Sequence, residues 1–124
     1  MKLIVADDSR LVRGIVDKIV TALGFEALHA ANGKETLDIL ENGGISLVLL
    51  DWNMPVLNGM DVIKKMRSDD RFKNIPVLMV STESEEDRIQ QVLTAGAQGY
   101  LPKPFTPGQL TEAIGRVLPD NSRP

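Results

Sequence analysis

The 124-residue chain has no cysteine, one histidine, one tryptophan and one tyrosine. Without cysteine there can be no disulfide and no thiolate metal site. A single histidine leaves zinc chemistry poorly supplied. No apolar run approaches the roughly 20 residues needed to cross a bilayer. The N-terminal run Leu3–Ala6 is also too short for the core of a signal peptide. Positive charge is not in excess: 14 Lys and Arg face 17 Asp and Glu, for a net charge of −3. That balance argues against a general nucleic-acid or anionic-membrane surface. There is no G-x-x-x-x-G-K-[ST] phosphate loop, no internal repeat and no low-complexity segment. The expected compartment is the cytoplasm. The 43% hydrophobic and 25% charged residues are ordinary for a globular protein, and the length suits one domain with its own core.

What is present is a regular alternation of short apolar runs with helical stripes. Residues 2–6 (KLIVA) read as a strand. Leu11, Val12, Ile15, Val16, Ile19, Val20 and Leu23 then follow helical spacing, with Ser9 as N-cap and Gly24 as stop. A second strand fits Phe25–Ala30, within which His29 reads as an ordinary strand residue. Asn32, with Glu35 three residues on, opens a helix through Leu37 and Leu40 that Gly43-Gly44 ends. The third strand is Ile45–Leu50. Asn58 caps a helix carrying Met60, Ile63 and Met66. The fourth strand is placed at Ile75–Val80, and a helix from about Glu83 to Ala95 follows, stopped by Gly96. Its acidic start, Glu83, Glu85, Glu86 and Asp87, suits the positive end of a helix. A short strand fits Gly99–Leu101. Thr106, Pro107 and Gln109 start a last helix carrying Leu110, Ala113, Ile114, Val117 and Leu118. Residues 119–124 form a polar tail. Five strands alternating with five helices give an α/β fold, a (βα)5 doubly wound five-stranded parallel sheet.

Residues 47–55, LVLLDWNMP, run four aliphatic residues straight into a carboxylate. Leu47–Leu50 lacks alternation, as a strand buried on both faces does. An ionised Asp51 at its end needs compensation for lost hydration. In an open α/β sheet, ligands sit beyond the carboxyl ends of the strands. There the pattern gathers Asp7 and Asp8, Asp51, Ser81 and Lys103. Three carboxylates without nitrogen or sulfur ligands suit a hard divalent cation, magnesium first. The hydroxyl and ammonium suit a phosphoryl group, and a carboxylate can itself be phosphorylated as a nucleophile.

These motifs, ADD (Ala6–Asp8), LLDWNMP followed by NG, the VST strand end and KPF (Lys103–Phe105), resemble the receiver domains of two-component response regulators. The resemblance runs from Lys2 to about Leu118, and within the family it is nearest in character to single-domain chemotaxis regulators. It implies a flavodoxin-like sheet in the order 2-1-3-4-5 and a receiver domain over residues 1–118. It implies Asp51 as phosphoacceptor, assisted by Lys103 and Ser81. It implies a Mg2+ site from Asp8, Asp7, Asp51 and the backbone carbonyl of Asn53, and a cis peptide between Lys103 and Pro104. Ser81 and Tyr100 would switch together, and Asn53 and Glu83 would tune the phosphate lifetime. Such a domain is a signalling switch rather than an enzyme, assisting only its own phosphorylation and dephosphorylation.

The implied phosphodonor is a histidine kinase. The implied downstream partner is a protein, with the flagellar motor switch as a candidate. It would meet the face built by the fourth helix (83–95), the fifth strand (99–101) and the fifth helix (107–118). No nucleic acid or membrane is expected, and the expected state is a monomer. With little chain beyond the fifth helix, a stand-alone regulator is expected; the alternative is a receiver cut from a longer response regulator or hybrid kinase. Two more distant readings are a haloacid-dehalogenase-like phosphohydrolase and a flavin-binding electron carrier. The first needs a second aspartate two residues after the nucleophile, where Asn53 stands. The second needs a phosphate loop where DDSRLVRG places two carboxylates. Trp52 has no role assigned by sequence.

Overall fold

The computed structural model describes residues 1–83 and 85–118. Its elements in chain order are β1 (Lys2–Ala6), α1 (Arg10–Ala22), β2 (Glu26–Ala30), α2 (Gly33–Glu41), β3 (Ile45–Leu50), α3 (Gly59–Arg67), β4 (Val77–Ser81), α4 (Glu86–Ala95), β5 (Gly99–Pro102) and α5 (Pro107–Val117). All strand pairs are parallel, and the sheet order is β2-β1-β3-β4-β5. The expected (βα)5 architecture and strand order are both present. Residues 119–124, expected as a polar tail, lie outside the described residues.

The two faces of the sheet explain the unbroken aliphatic strands. Ile4, Ala6, Val48, Leu50, Val77 and Met79 face one core, which α2, α3 and α4 close through Leu40, Val62, Ile63, Met66 and Val92. The alternate residues Leu3, Val5, Leu47, Leu49, Leu78 and Val80 face the other. That side is closed by Val16 and Val20 of α1 and by Leu110, Ile114 and Val117 of α5. A strand flanked by both layers has no solvent face, so a polar alternation would bury unpaired groups.

Local chemistry sets the helix starts. The side chains of Ser9, Asn32, Asn58 and Thr106 each accept a backbone N–H from three residues on. Asn58 with Asp61, and Thr106 with Gln109, form reciprocal capping boxes. Glu35 instead reaches the amide of Ala31, 2.7 Å away. Gly43 and Gly44 both have φ +79°, a conformation that ends α2 at no side-chain cost.

Several boundaries differ from expectation, chiefly in β2, β4 and α4. Phe25 lies outside β2, because its amide is drawn 3.0 Å to the Val20 carbonyl at the end of α1. β4 starts at Val77 and takes in Ser81; the Ile75 amide is held in a turn by the Phe72 carbonyl. Most consequentially, α4 begins at Glu86 rather than Glu83. Glu85 is its N-cap without a side-chain cap bond, and the Glu83 carbonyl accepts the Tyr100 hydroxyl, which holds Glu83 in the preceding loop.

Candidate functional site

The sheet order reverses direction at β1, which lies between β2 and β3. The residues beyond the ends of β1 and β3 therefore meet at the crevice where such sheets place ligands. Backbone bonds fix this meeting: the Asp7 amide donates to the Ala30 carbonyl (3.0 Å) and the Asp51 amide to the Ala6 carbonyl (2.9 Å). Asp7, Asp8 and Asp51 each bring a carboxylate oxygen to within 4.8 Å of the others. Asp7 and Asp51 are buried, at 4% and 7% exposure, whereas Asp8 is exposed.

Lys103 enters from the far side of the sheet. Its peptide bond to Pro104 is cis, and its amide donates to the Ser81 carbonyl at 2.9 Å. The ammonium lies 2.5 Å from Asp7 Oδ2 and 3.3 Å from Asp51 Oδ2. Burial pushes the Asp51 carboxyl above the ordinary carboxylate range; the Lys103 charge opposes this and the Asp7 charge adds to it. Burial would lower the Lys103 ammonium, but its bond to Asp7 and the charges of Asp51 and Asp7 outweigh burial and raise it.

Three ionised carboxylates and one ammonium leave excess negative charge in a partly closed site. All the converging acceptors are oxygens, and one carboxylate faces solvent. This donor set fits a hard divalent cation that keeps several waters, as magnesium does. Such a cation would also offset the lost hydration and the Asp7 charge that together raise Asp51. Asp7 is already oriented: its Oδ1 accepts the Ser9 amide at 2.8 Å, and Arg13 Nη1 donates to its carbonyl at 2.6 Å.

Ser81 is fully buried at the end of β4, two residues before Glu83, whose amide lies 3.4 Å from its hydroxyl. Tyr100, half-buried on β5, donates its hydroxyl to the Glu83 carbonyl and also lies 3.4 Å from the Ser81 carbonyl. Burial, with the charges of Glu83 and Asp51, raises its phenol. Asn53 is exposed in the loop two residues after Asp51. The sequence had pointed to every residue just described except Ser9, read only as a cap, and Arg13. Arg13 stands at the edge of the apolar stripe of α1 and is partly buried, and nothing in its spacing betrays that its guanidinium turns back to the Asp7 carbonyl at the exit of β1. Trp52 proves to be buried, with the Arg88 guanidinium 5.1 Å above its ring. His29 pairs with Asp17 at the surface, 2.6 Å apart.

A doubly wound sheet with an acidic cluster and a partly buried lysine at its switch point defines a class of signalling domain, and the comparisons identify it. A family model described as the response regulator receiver domain matches residues 3–115, and the chain belongs to this family. It is 43% identical over 123 residues to the chemotaxis protein CheY1 of Helicobacter pylori, covering 98% of this chain and 99% of that protein. To the chemotaxis protein CheY of Pseudomonas aeruginosa it is 37% identical over 119 residues, covering 95% and 96%. Among solved structures it is similar to Vibrio cholerae CheY4, with a TM-score of 0.89 and 34% identity, covering 94% of this chain and 98% of that one. Receiver domains of this kind are signalling domains, and no helix among the described residues is long and apolar enough to cross a membrane.

Proposed function

We propose that the protein is a phosphorylation-activated chemotaxis switch that accepts a phosphoryl group on Asp51 from a histidine kinase. The observation that carries the reading is the convergence of Asp7, Asp8 and Asp51 within 4.8 Å, with the Lys103 ammonium between two of them. An Asp51 carboxylate oxygen attacks phosphorus, the O–P bond forms, and the N–P bond to the donor imidazole breaks with the electron pair returning to nitrogen. Asp8, Asp7, Asp51 and the Asn53 carbonyl would hold magnesium, which would supply charge neutralisation at the phosphoryl oxygens. Lys103 stabilises the same oxygens, and its pairing with Asp7 keeps it protonated and aimed inward. Ser81 offers its hydroxyl once the β4–α4 loop moves toward the new charge. Asn53 and Glu83 flank the approach of the hydrolytic water.

The output follows from the tie between Tyr100, Glu83 and Ser81. Drawing Ser81 toward the phosphoryl group disturbs the acceptors of the Tyr100 hydroxyl, and Tyr100 repositions. The α4-β5-α5 face then changes its affinity for a downstream protein, with the flagellar motor switch as candidate. Phosphorylation shifts the population only as far as it interacts differently with the two states. The protein acts in the cytoplasm as a monomer. Labelling with acetyl phosphate and Mg2+ tests the reading. Wild type is expected to take up acid-labile phosphate and Asp51→Asn none; equal label on both would overturn it.

A further inference from the structure

We infer that Arg88 is a positioning residue of this site, holding Glu83 across the mouth between two loops and so lengthening the life of phosphorylated Asp51; the inference rests on the phosphoacceptor reading above. Arg88 lies in the first turn of α4 and its side chain is half exposed, but its guanidinium makes two contacts. Its central carbon lies over the buried Trp52 ring, 5.1 Å from the centroid. Nη1 lies 3.3 Å from Glu83 Oε2. A guanidinium can stack on an aromatic face and bond a carboxylate through its edge at once, which an ammonium cannot.

Trp52 immediately follows Asp51, and Glu83 lies two residues beyond Ser81. β3 and β4 are neighbours in the sheet, so the loops that follow them flank the Asp51 carboxylate on one side. Arg88 links those loops, touching Trp52 on one and Glu83 on the other. Glu83 is held from both ends. Its Oε1 accepts the Glu85 amide at 3.1 Å, and before phosphorylation its carbonyl also accepts the Tyr100 hydroxyl. Its side chain is only 18% exposed although charged. Removing Arg88 leaves the carboxylate on the Glu85 amide and uncovers the indole. The side chain can then swing to solvent, and the gap between the loops opens to water.

The test is the decay of acid-labile label in excess Mg2+ after the donor is removed, for wild type, Arg88→Ala, Glu83→Ala, the double variant and Arg88→Lys. Arg88→Ala and Glu83→Ala are each expected to speed decay about three- to tenfold, the scale of one partly exposed ion pair plus one cation–π contact. The double variant is expected to be no faster than the faster single one, because both remove one device. Arg88→Lys is expected to fall between wild type and Arg88→Ala, and Trp52 emission to shift in Arg88→Ala. Unchanged decay in Arg88→Ala, slower decay, or singly multiplying effects in the double variant would overturn the role of Arg88 while leaving Asp51 as phosphoacceptor. A wild type that takes no label would overturn the reading of the site and this role with it.

Discussion

Lys103 sits closer to Asp7 than to Asp51: 2.5 Å against 3.3 Å. The ammonium thus occupies charge that a cation would share, and it stands ready beside the carboxylate proposed to be phosphorylated. Lys103→Ala is expected to separate these two effects. Metal binding tightens, because Asp7 is released and a positive charge is lost. Phosphoryl uptake slows on the order of 10²-fold, the scale of removing one preorganised donor from a transition state. A Mg2+ titration followed by Trp52 fluorescence, set against labelling rate at saturating Mg2+, reads both. Weaker metal binding in the variant would refute the competition.

Burial holds the Asp51 carboxyl above its ordinary value of 3.8, with the Asp7 charge adding to it against Lys103. The fold therefore binds a proton at Asp51 more tightly than the unfolded chain does. Stability falls as pH rises above 3.8 and through the raised folded-state value. Asp51→Asn removes that loss while Lys103 keeps its Asp7 partner. In metal-free solution at pH 7 the variant is expected to unfold a few degrees higher than wild type. The difference should vanish as pH drops below 3.8 and narrow when Mg2+ is added, because the ion stabilises the wild type by mass action. Thermal unfolding followed by circular dichroism at several pH values, with and without Mg2+, measures it.

Gly59 fixes how closely α3 approaches the site. A Cβ there would lie 2.4 Å from the Asp51 carbonyl oxygen and 3.0 Å from the Trp52 Cα, both backbone atoms that cannot step aside cheaply. The Gly59 amide meanwhile donates to the Trp52 carbonyl at 2.8 Å. Gly59→Ala is expected to cost about 1–3 kcal/mol, as overpacking does, and to weaken Mg2+ binding several-fold by displacing the loop that carries Asp51 and Asn53. Urea unfolding and the Trp52-monitored titration would show both losses together. A variant with reduced stability but unchanged metal affinity would place the displacement elsewhere.

The parts of this molecule that were legible in sequence are those governed by a repeating or local rule. Leu47–Leu50 lacks alternation because both faces of β3 are covered. Asn58 and Thr106 announce helix starts because capping is a contact between residues three apart. Asp7, Asp8, Asp51 and Lys103 could be gathered because parallel strands end on one edge. The start of α4 was not legible, since the acidic run suited a helix from Glu83 onward. What stops it there is a hydroxyl from Tyr100, a residue on another element. The same holds for Arg67, the last residue of α3. Its guanidinium donates to the Gly96 carbonyl at 2.8 and 3.1 Å and to the Gln98 side chain at 3.0 Å. Such contacts have no period, and only the assembled chain creates them.

Val56 is the residue where local rule and structure conflict. Its φ is +70°, a left-handed conformation that crowds a β-branched side chain against its own backbone. That conformation costs roughly 1–2 kcal/mol for an ordinary residue. Little is gained in return, because Val56 is 71% exposed and buries almost no apolar surface. Asparagine tolerates this region of φ and ψ through its short polar side chain. Val56→Asn is therefore expected to stabilise the fold by about 1 kcal/mol. Val56→Gly should gain less, because glycine relieves the crowding but also enlarges the freedom of the unfolded chain. Paired urea unfolding curves with equal slopes measure both gains. A loss of stability in Val56→Asn would mean that the strained backbone is held by the valine side chain itself rather than by the loop around it.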